Sequence, residues 1–224
     1  MVDTPLWTQF NVQAAWTFFQ QGGLLMYPLL LFSVVVLAIA LERWLRLRLA
    51  RTDAEALYGI VEHLLTHQAL ERAQAHLQLH PGALAAVWRA LLAAPSHDKA
   101  DLEEVALMHA RRELRQLNLR LPTLHLIAGL APLLGLLGTV VGMVKAFQQV
   151  ATAAGAVNPA LLASGIWEAL LTTVAGLVVA IPALLLHHGL VQRVQRYAFE
   201  IDYYSTALIR LLSRSESLNA QSQR

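Results

Sequence analysis

The chain has 224 residues, of which 56% are hydrophobic and 14% charged, with a formal net charge of +2. Soluble domains average roughly 45–50% apolar and about 25% charged, so this composition, with a mean hydropathy of +0.48, excludes an ordinary water-soluble domain. Zero cysteines exclude a disulfide scaffold. The small positive charge comes from arginines near the ends of apolar tracts, which leaves no basic stripe for nucleic acid.

Three tracts are almost free of charge. No Asp, Glu, Lys or Arg lies between Asp3 and Glu42, none between Arg120 and Lys145, and only Glu168 between Lys145 and Arg193. Each tract contains an apolar stretch near or above the roughly 18 residues that suffice to cross a bilayer. Residues 1–22 precede the first span. Within them, 5–21 mix Trp7, Phe10, Trp16, Phe18 and Phe19 with Gln, Asn and Thr. An outer interfacial, amphipathic segment accounts for that mixture, because aromatic rings settle at headgroup level; a disordered leader is the alternative. Span one occupies 23–41, with its apolar core at Leu24–Leu41. No Lys or Arg precedes it, whereas a cleaved signal peptide opens with positive charge, so it reads as an uncleaved anchor.

Residues 42–120 carry helical periodicity. Thr66 is expected to cap the run HQALERAQAHLQ, which puts Leu70, Ala73 and Leu77 on one stripe. Pro81-Gly82 interrupts the chain, and Ala83–Leu92 resumes a helix. Ser96 or Asp98 then caps a longer run through Leu102, Val105, Met108, Leu114, Leu117 and Leu121, expected to lead directly into span two. No stretch alternates with period two over strand length. Span two falls within 121–150, an outer loop within 151–159, span three within 160–186, and a helical tail within 187–224. Arg43, Arg46, Arg48 and Arg51 follow span one, Arg111, Arg112, Arg115 and Arg120 precede span two, and Arg193 and Arg196 follow span three. Only Lys145 lies between spans two and three, so the positive-inside rule puts the N-terminus out and the C-terminus in. The expected fold is an all-α integral membrane protein: three transmembrane helices, with long helices extending into a helical cytoplasmic domain.

Several polar groupings look chemical without supporting chemistry. Ser96-His97-Asp98 has the residue types of a hydrolytic triad, but three neighbours in sequence cannot form the nucleophile–base–orienter chain. His63/His67 and His76/His80 stand i,i+4 on helices, yet they lack the Glu of H-E-x-x-H and any evident third ligand, so they read as exposed helix histidines. There is no phosphate-binding G-x-x-x-x-G-K-[ST]. No catalytic, metal or cofactor site is expected.

The spans are more informative. In span two, Ala131, Gly135 and Thr139 recur every four residues, as do Gly138, Gly142 and Ala146; span three repeats the pattern in Ala169 and Thr173 and in Thr172, Gly176 and Ala180. Stripes of small residues let helix backbones approach closely in lipid. Packing alone leaves the hydroxyls of Thr139, Thr172 and Thr173 beside the lone carboxylate Glu168 without a role. Each Thr could instead bond a carbonyl of its own helix, and Glu168 could sit partly wet near the outer interface. A charge inside a span costs at least about 2.5–3.5 kcal/mol, so it usually faces a cavity or a partner. Spans two and three run in opposite senses, and at 1.5 Å per residue Thr139 and Thr173 both lie roughly 16–18 Å below the outer boundary. Lys145 and Glu168 share a level about 8–9 Å further out. They are expected to pair at the outer mouth, each lowering the other's desolvation cost. Pro132 and Pro182 sit inside their spans, where they are expected to kink the helices: each removes one intrahelical hydrogen bond, freeing carbonyls that neighbours or water can serve.

The run Gly129-Leu-Ala-Pro-Leu-Leu-Gly-Leu-Leu-Gly-Thr-Val-Val-Gly-Met143, followed by Gly165-Ile-Trp-Glu-Ala-Leu-Leu-Thr-Thr-Val-Ala-Gly-Leu-Val-Val-Ala-Ile-Pro-Ala183, resembles the MotA/TolQ/ExbB proton-channel family. Gly22-Gly-Leu-Leu-Met-Tyr-Pro-Leu-Leu and Leu41-Glu-Arg are similar to its ExbB branch. The resemblance is specific over 120–190, good over 20–45 and only architectural over 50–110. It implies a homopentamer in the bacterial inner membrane around the single-span helices of an ExbD-like partner. An intramembrane Asp on that partner would carry protons, and a TonB-like protein would transmit force to outer-membrane import. It also implies that Thr139 and Thr173 fall on the family's pore threonines and Glu168 on its span-three glutamate; with Thr172 they are the expected lining of a proton path. Lys145 departs from the polar or acidic residue usual at its position. A TolQ-like envelope-integrity role and a non-conducting membrane scaffold are the alternatives.

Overall fold

The structure, a computed structural model, describes residues 12–49, 53–67, 69–96, 98–152 and 159–222. Among them eight helices follow in order: α1 (Val12–Gln21), α2 (Met26–Leu49), α3 (Ala54–Thr66), α4 (Leu70–Gln78), α5 (Ala83–Leu92), α6 (Lys99–Asn118), α7 (Leu121–Thr152) and α8 (Pro159–Ser222). No strand occurs among the described residues. Apolar stretches of α2, α7 and α8 are long enough to cross a membrane. The aromatic residues Trp7 and Phe10 of the leading segment, and His97 of the Ser-His-Asp run, lie outside the described residues.

The chain divides into two compact units, residues 1–40 with 122–187 and residues 41–121 with 188–224. In the second, short amphipathic helices bury one stripe each. Asp53 sits in extended conformation and its carboxylate accepts from Ala56 N, starting α3, where Leu57 and Val61 are buried one turn apart. Ala73 and Leu77 of α4, Trp88 of α5 and Leu102 of α6 are fully buried, and Ile201, Leu208, Ile209 and Leu212 of α8 complete this core. Tyr58 meets Trp88 edge-on at 6.1 Å and Tyr204 at 5.7 Å. Burial holds the phenols of both tyrosines above their ordinary pKa, with Glu62 adding to the effect at Tyr58 and Glu55 at Tyr204.

Three local expectations change here. Thr66 does not cap the following helix: it is the last residue of α3, its hydroxyl donates to His63 O at 2.9 Å, and α4 starts after Ala69 without a side-chain cap. A hydroxyl that bonds the turn behind it is unavailable to the turn ahead. Leu70 and Met108, expected on buried stripes, are exposed, and Ala106 takes the inward position one turn beyond Leu102.

The third change is at the entry to span two. The long run does not lead straight into it. After Asn118, Leu119 adopts φ −53°, ψ 139°, and Arg120 takes a left-handed φ of 67° before α7 begins at Leu121. Left-handed backbone costs a non-glycine residue roughly 1–2 kcal/mol, so this elbow needs support. Glu42 forms an ion pair with Arg120. Arg43, only 3% exposed, donates from Nη1 to Gln116 O at 3.2 Å and to Leu117 O at 3.3 Å. A cation on the last carbonyls of α6 serves Leu117 O and adds a second donor to Gln116 O beside Leu119 N, and it complements the negative end of the helix dipole.

Candidate functional site

The first unit is built on the seam between α7 and the first half of α8. Gly176 faces Ala131 O, Gly135 faces the backbone of Thr172 and Thr173, Gly138 faces the Thr172 side chain, Gly142 faces Ala169 and Gly165 faces Ala146. Residue numbers rise along one helix as they fall along the other, so the helices are antiparallel. At each contact a Cβ on the glycine would overlap or press upon the partner, which is the close approach that small residues permit. Met26 and Leu29 of α2 pack with Ala131 and Ala180, and Phe18 and Phe19 of α1 lie against the same cluster. Trp167 Nε1 donates to Gln21 Oε1 at 3.1 Å, tying α1 to α8.

The three hydroxyls behave differently. Thr172 is buried, and its Oγ1 donates to Ala169 O at 2.8 Å within α8. Thr139 likewise bonds its own helix, at Leu136 O, 2.7 Å. Thr173 reaches across the seam to Gly135 O at 3.1 Å. The carbonyl it finds is accessible because Gly135 has no side chain to shield it. All three hydroxyl protons are therefore committed to backbone carbonyls, which leaves the oxygens as acceptors toward anything else. Thr139 and Thr173 remain half-buried.

Lys145 Nζ lies 2.8 Å from Glu168 Oε1, with the two side chains 50% and 28% exposed. Gly23, the one described glycine at positive φ (71°), sits directly against Glu168 Oε1, where any side chain would collide with the carboxylate. The sequence reading missed this third wall. The adjacent glycines Gly22-Gly23 ahead of span one were its signal, since paired glycines mark a tight turn or a close approach. α7 and α8 pass through Pro132 and Pro182 without interruption.

The four histidines weighed as metal pairs have local work, and His76 and His80 are half-buried where exposed positions were expected. His67 Nδ1 lies 2.8 Å from His63 O and His80 Nδ1 3.1 Å from His76 O, so both imidazoles serve carbonyls at helix ends. No group of three or more potential metal ligands occurs among the described residues.

An all-helical chain with three membrane-length apolar helices and a glycine-lined antiparallel seam is a polytopic membrane protein. Residues 64–202 match the MotA/TolQ/ExbB proton channel family. Among curated relatives, the biopolymer transport protein ExbB1 of Vibrio cholerae is 35% identical over 170 residues, 73% of each chain. An ExbB-like biopolymer transport protein of Synechocystis is 35% identical over 194 residues, 84% of this chain and 73% of its own. The Tol-Pal system protein TolQ of Haemophilus influenzae is 40% identical over 103 residues, 44% of this chain and 45% of its own. The chain belongs to the MotA/TolQ/ExbB proton channel family.

Proposed function

We propose that the chain is an ExbB-like subunit of a proton-driven motor in the bacterial inner membrane. It would assemble as a homopentamer around an ExbD-like single-span partner and energise TonB-dependent outer-membrane import. The observation that carries the reading is the cross-seam bond of the half-buried Thr173 to Gly135 O, within a family of proton channels. Relatives of the ExbB name match over most of the chain.

A partner Asp held in a low-dielectric passage has a raised pKa, so it can be neutral against apolar wall and charged where water reaches it. Threonine oxygens whose protons are committed to carbonyls offer lone pairs to water and to a protonated carboxyl, both of which donate. The hydroxyl level therefore favours the neutral, proton-carrying form and holds water in hydrogen-bond reach. Small residues keep the wall smooth enough for the partner helix to slip. Each charge crossing the membrane releases about 2.3 kcal/mol per 100 mV. The Lys145–Glu168 pair lies outward of this level and marks the outer mouth, with the N-terminus outside and the C-terminus inside.

The test is proton flux through the full chain co-purified with its single-span partner and reconstituted into vesicles. Thr173→Ser is expected to conduct and Thr173→Val to lose most of the flux. Equal flux in both would contradict the reading and favour a non-conducting scaffold. The TolQ relative supports a second role, in envelope integrity. Loss of outer-membrane integrity on deletion, with energy-dependent import intact, would select it.

A further inference from the structure

The antiparallel register of α7 and α8 extends beyond the threonines. It runs through Ala146 with Gly165, Gly142 with Ala169, Gly138 with Thr172 and Ala131 with Gly176. Toward the start of α7, six residues before Ala131 and eleven after Gly176, His125 meets His187, whose rings lie 5.0 Å apart between centroids and 39° from parallel. His125 stands 14 residues before Thr139, and His187 stands 14 residues after Thr173. At 1.5 Å per residue each imidazole lies about 21 Å along its helix from its threonine, and at 3.6 residues per turn it is only about 40° around the axis from it. Two helices thus carry the same spacing in mirror order: a hydroxyl, then an imidazole four turns inward on nearly the same face.

Few other ionisable groups are found in this unit. Among the described residues of that unit the remaining ones are Tyr27, Lys145 and Glu168. Lys145 and Glu168 pair at the opposite end of the seam, and Tyr27 lies against Phe19. Residues 26–40 of α2, which pack on this seam, hold no charged side chain. The nearest ionisable neighbours along the chain are Arg120 and His188.

We propose that His125 and His187 form the proton-release station at the inner end of the path. The inference rests on the proton-path reading above. A neutral imidazole nitrogen takes a proton from the travelling carboxyl or its attendant water. The imidazolium then gives that proton to bulk water, and the pair returns to neutral. Two imidazolium ions 5 Å apart would repel, so the pair holds one excess proton at a time and the next arrival drives release. Imidazole is the side chain that changes charge between about pH 5 and 8. A station of this kind makes flux sensitive to inner pH, which hydroxyls cannot do.

The experiment uses the full chain with its partner in vesicles whose lumen faces the histidine end. The potassium gradient is adjusted so that total driving force stays constant as lumenal pH varies. The station must be proton-free to accept a proton, so wild-type flux is expected to fall several-fold as lumenal pH drops through the range in which imidazole changes charge, about pH 8 to 5. His125→Gln/His187→Gln is expected to conduct less and to lose this dependence, with flux restored by millimolar imidazole in the lumen and not by added salt. Each single variant, keeping one ring, is expected to retain the pH response at lower flux, which keeps the test open if the double variant fails to assemble. A wild-type pH profile in the double variant, a loss that imidazole leaves untouched, or two single variants identical to wild type would overturn the station. Thr173→Val in the same vesicles separates the outcomes: unchanged flux there defeats the path itself, whatever the histidines do.

Discussion

Gly176→Ala places one methyl group where the α7–α8 seam brings opposing backbone closest to the added carbon. Its Cβ would lie 2.6 Å from Ala131 O and 3.2 Å from Gly135 Cα. An ordinary carbon–oxygen contact is about 3.3 Å, so the helices must part by roughly 0.7 Å along that line. Both obstructing atoms are backbone and neither can rotate away. A gap of that size forfeits about a quarter to a half of each dispersion contact it opens, and overpacking of this kind costs about 1–3 kcal/mol. Alanine in a helix recovers about 0.5–1 kcal/mol over glycine. The net expectation is destabilisation by about 0.5–2 kcal/mol, roughly a 2- to 30-fold shift in the folding equilibrium. The same displacement would carry Gly135 O out of reach of Thr173 Oγ1, now 3.1 Å away, so misalignment of the hydroxyl level should accompany the lost stability. The assay is thermal unfolding of the full chain in detergent. Gly59→Ala, on the exposed face of α3 with nothing within 4 Å of the added carbon, is the matched control and should melt at or slightly above wild type. If Gly176→Ala melts as high as that control, the seam is not close-packed and the register argument fails.

Arg43→Ala leaves the Gln116 and Leu117 carbonyls without their cation, just ahead of the left-handed Arg120; a loss of about 1.5–3 kcal/mol is expected, the contribution of a charged hydrogen bond, here shared by one nitrogen between two carbonyls, read as the unfolding midpoint in detergent. Lys145→Ala should lower the yield of assembled protein by exposing an unbalanced Glu168, and Lys145→Ala/Glu168→Gln should recover it, because removing the second charge removes the cost of the first; assembly is read by native mass measurement. Tyr58 and Tyr204 have raised folded pKa values. Their contribution is therefore complete below the unfolded value near 10 and is lost as pH rises through the folded one. Unfolding measured against pH should set in above about pH 10, and Tyr58→Phe should move that onset upward.

Much of the architecture was legible because charge depletion and helical periodicity are long-range patterns. Asp98 announced α6, Pro81-Gly82 announced the break before Ala83, and the glycine stripes announced the seam. The elbow at Leu119–Arg120 was not legible: Arg gives no signal for left-handed backbone, and what supports it comes from Glu42 and Arg43, far away in sequence. The partner of Thr173 was equally hidden, since one-dimensional spacing gives a hydroxyl's depth but not whether it turns to its own helix or to the next. The His125–His187 pair had a sequence signal, the equal 14-residue offset from the two threonines, that becomes meaningful only once the register is known.

The central claim, that water reaches the Thr139–Thr173 level from within the assembly, can be tested directly because the chain has no cysteine. Single Thr139→Cys, Thr172→Cys and Thr173→Cys variants of the assembled complex, treated with a membrane-impermeant thiol reagent, report wetness position by position. The account predicts labelling at 139 and 173 and protection at the buried 172. Protection at all three would mean that no water-filled passage runs past these hydroxyls.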